Sequence, residues 1–268
     1  MISCALKINT VEPEGRVLKI SLITVSYNSA STIGTTLESV AAQNYPELEY
    51  IIVDGGSSDS TLDIVDQFSE LVTLCISEPD QGIYDAMNKG VQRATGEVIG
   101  ILNSDDFYRQ GEVLNEVAAL FDADPELEVV LGDVDFVRED DLNHSVRSYR
   151  AGQFKPWMFR FGLMPPHPAV FVRKSAYERV GFYKLGYKIA ADFDFLTRLL
   201  LLDGAKYKVS GRTWVRMRTG GASTSGIKSN LISTKEMLRS LKENGIYSNA
   251  FLLLLRLPIK YIKQIFLK

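Results

Sequence analysis

Carboxylates and amides gather where short apolar runs end. Thr24-Val-Ser-Tyr-Asn28 closes the run that begins at Leu18, and Asp54 follows Ile51-Ile-Val53. Asp80 lies just past Cys75-Ile-Ser77, and Asn103-Ser-Asp-Asp106 follows Val98-Ile-Gly-Ile-Leu102. Acids in such places can hold a divalent ion whose other ligands are phosphate oxygens. That ion offsets charge building on a diphosphate leaving group. The same residue types also suit a helix start, where Ser and Asp cap free N–H groups. Asp54 can accept from a ribose hydroxyl or a base N–H, or be a turn aspartate before Gly55-Gly56. Asp192 and Asp194 stand two apart in Ala190-Ala-Asp-Phe-Asp-Phe195, on different sides of a helix. One can face a cleft as a general base while the other caps or is solvated; alternatively both are helix-start acids. His167, in Pro165-Pro-His-Pro168, can face a substrate or make a structural hydrogen bond. Trp157 and Phe159 offer rings to a sugar, with core packing as the default for aromatics.

Other chemistries are excluded. Two cysteines and two histidines in 268 residues cannot build a disulfide scaffold, a cysteine zinc site or a histidine-rich metal centre. Neither G-x-x-x-x-G-K-[ST] nor a G-x-G-x-x-G after the first strand is present, which disfavours P-loop and hydride-transfer chemistry. A net charge of −3 gives no nucleic-acid signature.

The elements that must carry these residues follow from periodicity. Apolar runs near 18–26, 49–54, 72–77, 97–102 and 129–131 read as strands. Between them Ile33, Leu37 and Val40, then Ile64, Phe68 and Leu71, then Tyr84, Met87 and Val91, then Val113, Val117 and Phe121 mark helix faces. Strand and helix in alternation predict a parallel α/β sheet, whose ligands sit beyond the carboxyl ends of the strands. The second half is less regular. Residues 154–168 read as loop or short helix, 169–173 and 214–217 as strands, Phe193 to Leu200 as a helix, and 220–226 as a loop.

Four motifs, in order and at matching spacing, resemble the family 2 glycosyltransferases: Thr24-Val-Ser-Tyr-Asn28, Val53-Asp-Gly-Gly-Ser-Ser-Asp-Ser-Thr61, Asp80-Gln-Gly-Ile-Tyr-Asp-Ala-Met-Asn-Lys-Gly90 and Leu102-Asn-Ser-Asp-Asp106. The resemblance spans roughly residues 19–205. It implies a GT-A fold, with a mostly parallel central sheet, helices on both faces and a helical tail. It also implies a nucleotide-diphospho-sugar donor, with UDP the expected nucleotide, a Mg²⁺ or Mn²⁺ ion, and inversion at the anomeric carbon. Carried over by position, Thr24, Val25, Tyr27 and Asn28 contact the nucleoside, and Asp54 reads the base. Asp80, Gly82, Asn88 and Lys89 line the donor pocket. Asn103, Ser104 and Asp105 occupy the family's Asp-x-Asp position, with Asp105 the metal ligand. Asn103 departs from that pattern and lowers the ligand charge. Asp192 is the expected base, with Ala191 where the family often has Glu. His167, Trp157 and Asp194 are acceptor candidates. Arg218 flanks the glycine-rich loop that could close on the diphosphate.

Three segments are expected: an extension over 1–16, the glycosyltransferase domain over 17–227, and a basic helical tail over 228–268. Residues 228–268 balance to +6 and the remainder to −9. Within 250–268, Arg256, Lys260, Lys263 and Gln264 share one helical side among apolar neighbours, the pattern of an interfacial helix. The expected location is cytoplasmic and peripheral on the inner face of the membrane, with a glycan or polyprenyl-diphosphate-linked acceptor. Packing on the body or on a second copy is the alternative. Two other functions fit in outline: a sugar nucleotidyltransferase and a non-catalytic binding module with the same fold.

Overall fold

The computed structural model describes residues 17–220 and 226–256. Its first half follows the expected alternation: β1 (Ile20–Ser26), α1 (Ile33–Ala41), β2 (Leu48–Asp54), α2 (Thr61–Asp66), β3 (Leu74–Ser77), α3 (Ile83–Arg93) and β4 (Val98–Ile101). Then come β5 (Asp106–Tyr108), α4 (Val113–Asp122), β6 (Val129–Arg138), β7 (Asp141–Tyr149), β8 (Val170–Arg173), α5 (Lys174–Val180), α6 (Ala191–Thr197), β9 (Tyr207–Arg218), α7 (Gly226–Glu243) and α8 (Ala250–Leu254). Single 3₁₀ turns span Pro156–Phe161 and His167–Ala169, and a π-helical turn, Arg198–Leu202, extends α6.

The sheet runs β3-β2-β1-β4-β8-β6-β9-β5, with β7 paired to β6. The first four strands are parallel. The second half is mixed: β8 runs antiparallel to β4 and β6, and β5 antiparallel to β9. All seven residues of β1 are buried, as expected for a central strand covered on both faces. Its alternate side chains enter two cores. Ile23 and Val25 face the layer with α3, α6 and α7, whereas Ile20 and Leu22 face that with α1 and α4. α3 lies so close to β1 that a Cβ on Gly90 would sit 2.5 Å from Ile23 Cγ2.

Several elements depart from expectation. α2 stops at Asp66, while Phe68 and Leu71 still pack on the core from the turn that follows. β7 is a polar, largely exposed strand without an apolar pattern. β5 is only three residues long, so periodicity has nothing to count. The expected boundary after 227 is not a break in packing. Met237 and Leu241 of α7, then Ile246 and Leu253, join the same core as β1 and α6. Residues 1–16, most of the glycine-rich loop and 257–268 lie outside the described residues.

Candidate active site

The parallel strands end at one edge, and their loops are tied to one another. Asn28 takes a left-handed backbone (φ 47°), which asparagine tolerates. Its N–H donates to Ser57 Oγ at 2.7 Å, and its Oδ1 accepts from the Ser58 N–H at 2.9 Å. Ser29 and Ser104 hydroxyls lie 2.8 Å apart, joining the β1 loop to the loop after β4. Thr36 Oγ1 donates to the carbonyls of Ser104 and Asp106 and holds that loop from below.

This cross-bracing reassigns several expected donor contacts. Asp54 has no exposed surface. Its Oδ1 accepts from Ser26 and Ser57 hydroxyls, and its Oδ2 from Ser77 Oγ and the N–H groups of Gly56 and Ser57. Burial raises its pKa, but these hydrogen bonds outweigh burial and hold the carboxyl below the usual range. With both oxygens occupied it builds the turn and has no free edge with which to read a base. Thr24 is buried with its hydroxyl 2.9 Å from Tyr50 OH, and Val25 is core, so neither side chain reaches a donor. Asn88 is also structural: its Nδ2 donates to the Tyr183 carbonyl at 2.8 Å, and its Oδ1 accepts the Tyr183 N–H at 3.0 Å.

What stays open is a smaller set. Tyr27 is 65% exposed at the end of β1. A Cβ on Gly55 would lie 2.5 Å from Asp80 Oδ2 and 3.4 Å from the Tyr27 ring, so glycine is what lets Asp80 and Tyr27 converge there. Asp80 Oδ1 accepts from the Gly82 N–H at 2.7 Å, and Gly82 turns the chain into α3 with φ 112°. Lys89 pairs with Glu78 at 2.8 Å and Asp85 at 3.4 Å, bracing this loop.

After β4 not every polar group finds a partner. Asn103 Nδ2 donates to buried Asp106 Oδ2 at 3.1 Å, which fixes the amide orientation. Asn103 Oδ1 is then buried with no hydrogen-bond partner, as is Arg218 Nε. Asp105 is half-buried; burial pushes its carboxyl up, and the Arg218 charge opposes that. Asp106 is pushed well up by burial and then by Asp105. Among the described residues no three His, Cys, Asp or Glu side chains group as a metal site. An unpartnered amide oxygen beside one carboxylate does fit Mg²⁺ or Mn²⁺ completed by substrate phosphates.

α6 carries the acids expected of the base. Asp192 is half-buried, accepts from the Phe193 N–H at 2.8 Å and lies 3.4 Å from Tyr84 OH. Burial pushes its pKa up to about 6, the range a general base needs. Asp194 is wholly buried against Arg198, Lys184, Ser240 and Asn244. It ties α6 to α7 and cannot touch an acceptor. His167 Nε2 lies 2.8 Å from Tyr183 OH, and burial lowers its pKa to about 4, so the ring is neutral at pH 7. Trp157 is half exposed on the Pro156–Phe161 turn, edge-on to Phe161. Tyr84 and Thr36 were not singled out as site residues in the sequence, and Asp106 was read only as one of the acids after the fourth strand. Tyr84 and Asp106 stand inside the quoted motifs, whereas Thr36 carries no such signal.

The family model for glycosyl transferase family 2 matches residues 21–181. The chain belongs to that family. This glycosyltransferase is 34% identical over 181 residues to a PGL/p-HBAD biosynthesis glycosyltransferase of Mycobacterium bovis, covering 66% of this chain and 68% of that one. It is 33% identical over 191 residues to an uncharacterized glycosyltransferase of Mycobacterium tuberculosis, covering 68% and 69%. Among solved structures, S. aureus TarS in complex with UDP-GlcNAc superposes with a TM-score of 0.66 at 22% identity, over 84% of this chain. This chain spans 66% of that TarS chain. A mannosyltransferase from Pyrobaculum calidifontis, in complex with GDP-Man and Mn²⁺, gives 0.61 at 19% identity, over 85% of this chain and 64% of the other. The fold is that of the GT-A glycosyltransferases, with an α/β mixed sheet. Asp192, Arg218 and α7 all lie beyond the stretch matched by the family model.

Proposed function

We propose that this glycosyltransferase moves a sugar from a nucleotide-diphospho-sugar, UDP-linked first among candidates, to an acceptor hydroxyl by inverting single displacement. The observation that carries the reading is at the loop after β4: Asn103 Oδ1 has no hydrogen-bond partner, and half-buried Asp105 lies within electrostatic reach of Arg218 on β9, whose Nε also has none. That is the charge pattern a metal-bound diphosphate would satisfy. Tyr27 would lie against the nucleoside, with Asp80 toward its ribose. Arg218 would donate to the diphosphate. Asp105 and Asn103 Oδ1 would hold Mg²⁺ or Mn²⁺, which when bound supplies positive charge against the leaving group. Asp192 takes the acceptor proton; inversion needs no covalent intermediate, so one carboxylate suffices. TarS with UDP-GlcNAc and the mannosyltransferase with Mn²⁺ support the donor class and the metal by likeness of fold. The test is nucleotide release from UDP-, GDP-, dTDP- and CDP-sugars with Mn²⁺. One donor should turn over, and Asp192→Asn should still bind it while losing turnover; an Asp192→Asn enzyme as fast as wild type would sink the mechanism.

The acceptor we favour is lipid-linked, with 250–268 resting on the membrane. Arg256 departs from the expected basic stripe: it is buried, with Nη2 3.0 Å from Thr234 Oγ1, and cannot face lipid. Phe251 and Leu254 are exposed, at 71% and 44%, and α8 packs on the turn that carries half-exposed Trp157. Among the described residues no helix is long and apolar enough to cross a membrane. Sedimentation with anionic vesicles, weakened by salt and by Phe251→Ser, is expected. A stable dimer with no vesicle binding would assign this surface to a second copy instead.

A further inference from the structure

Asp192 stands at the start of a short helix whose N-cap, Ala190, has no side chain able to cap it. The segment before it, 184–190, has no regular structure. Something else must hold the backbone that aims the base. Glu236 of α7 does so from across the layer. Its Oε1 accepts from the Lys188 N–H at 2.7 Å, and its Oε2 from the N–H groups of Ile189 and Ala190 at 2.9 and 3.0 Å. Three successive N–H groups that no turn of helix satisfies are collected by one carboxylate. From the other side Tyr84 OH donates to the Ile189 carbonyl at 2.5 Å, while lying 3.4 Å from Asp192 Oδ1. The segment is clamped between α3 and α7, and Ser240 of α7, with Asn244 just beyond it, grips α6 again at Asp194.

We propose that Glu236 is a positioning residue for the reaction, fixing the backbone that aims Asp192 at the acceptor hydroxyl. The inference rests on the reading of Asp192 as the base. Among the described residues, groups interacting electrostatically with Asp192 include Tyr84 of α3, Tyr149 of β7, Tyr183 of the loop before α6, and Glu236. The tyrosines are kept neutral by burial, so Glu236 is the negative charge among them. It adds to burial in raising the Asp192 carboxyl. Glu236 therefore has two separable effects: geometry through hydrogen bonds, and protonation through charge.

The test compares Glu236→Gln and Glu236→Ala with wild type and Asp192→Asn, using the sugar nucleotide that wild type turns over and Mn²⁺. Turnover and donor KM are followed against pH, and hydrogen exchange is followed over 187–191. Both Glu236 variants should exchange faster there and lose about 10- to 100-fold in kcat, as for a misplaced catalytic group. Donor KM should stay within about twofold, since only the acceptor side is disturbed. In Glu236→Gln the acid limb of the kcat profile should move to lower pH, because a charge that raised the Asp192 pKa is gone. Glu236→Gln is near-isosteric, so it decides the matter even where Glu236→Ala does not fold. A Glu236→Gln enzyme with wild-type kcat, acid limb and exchange overturns the inference while leaving Asp192 as base. An Asp192→Asn enzyme with wild-type turnover removes the base reading, and this inference with it.

Discussion

At the scale of single residues the site is governed by what burial does to carboxylates. Asp192 ionises near pH 6 because its surroundings disfavour charge. As the proposed base Asp192 takes the acceptor proton in its ionised form, so kcat should rise as pH increases through about 6 and level off above it. Asp192→Asn should cost about 10²- to 10⁴-fold in turnover. A folded pKa above the unfolded one means the native state loses stability as pH rises through that interval. Asp192→Asn should therefore gain on the order of 1–3 kcal/mol above pH 7 and nothing below pH 4, read from denaturant midpoints. Asn103 gives a second case. A carboxylate there would face buried Asp106 across a 3.1 Å contact. Asn103→Asp should lower Tm, more at pH 8 than at pH 5, where the pair can share a proton. Adding Asp106→Asn should restore it; equal losses at both pH values would contradict this. Sequence made the acids legible but not their exposure. Asp54 and Asp105 both follow an apolar strand, and only the structure shows one saturated by five donors and the other half-buried within reach of the Arg218 charge. The same holds for Asp192 and Asp194, two residues apart with opposite surroundings.

At the scale of elements the site depends on α3 lying hard against β1. That contact places Asp80, Gly82 and Tyr84 at the strand ends, and Gly90 permits it. Gly90→Ala puts a methyl group into Ile23, and overpacking of this kind costs about 1–3 kcal/mol. Gly90→Ala/Ile23→Val should recover part of the lost Tm, since it removes the δ-methyl that also meets the added carbon; no recovery would place the cost elsewhere. The β1–β4 half was legible because buried parallel strands are nearly all apolar and their helices keep one apolar face. β7 was not, because an exposed edge strand such as Asp141–Tyr149 carries no alternation to read. β9 was read only over 214–217 and runs from Tyr207 to Arg218.

At the scale of the whole molecule, the recognisable motifs all fall within the family match at residues 21–181, whereas Asp192, Arg218 and Glu236 come from chain beyond it. α6, β9 and α7 bring Asp192, Arg218 and Glu236 to an edge built by the first four strands. The composition shift at 228 is real, but it marks a change in surface charge and not in packing. Met237 and Leu241 are core residues on a helix whose outer face is basic. This is why a boundary drawn from charge alone falls inside one packed body. On the proposed reading, donor diphosphate, metal and Asp105 complete one another. Its most direct test is a calorimetric titration of UDP, GDP, dTDP and CDP into wild type and Asp105→Ala, with and without Mn²⁺. One nucleotide should bind wild type in Mn²⁺, with binding lost without the ion and in Asp105→Ala. Equal binding by Asp105→Ala, or no binding of any nucleotide in Mn²⁺, would contradict it.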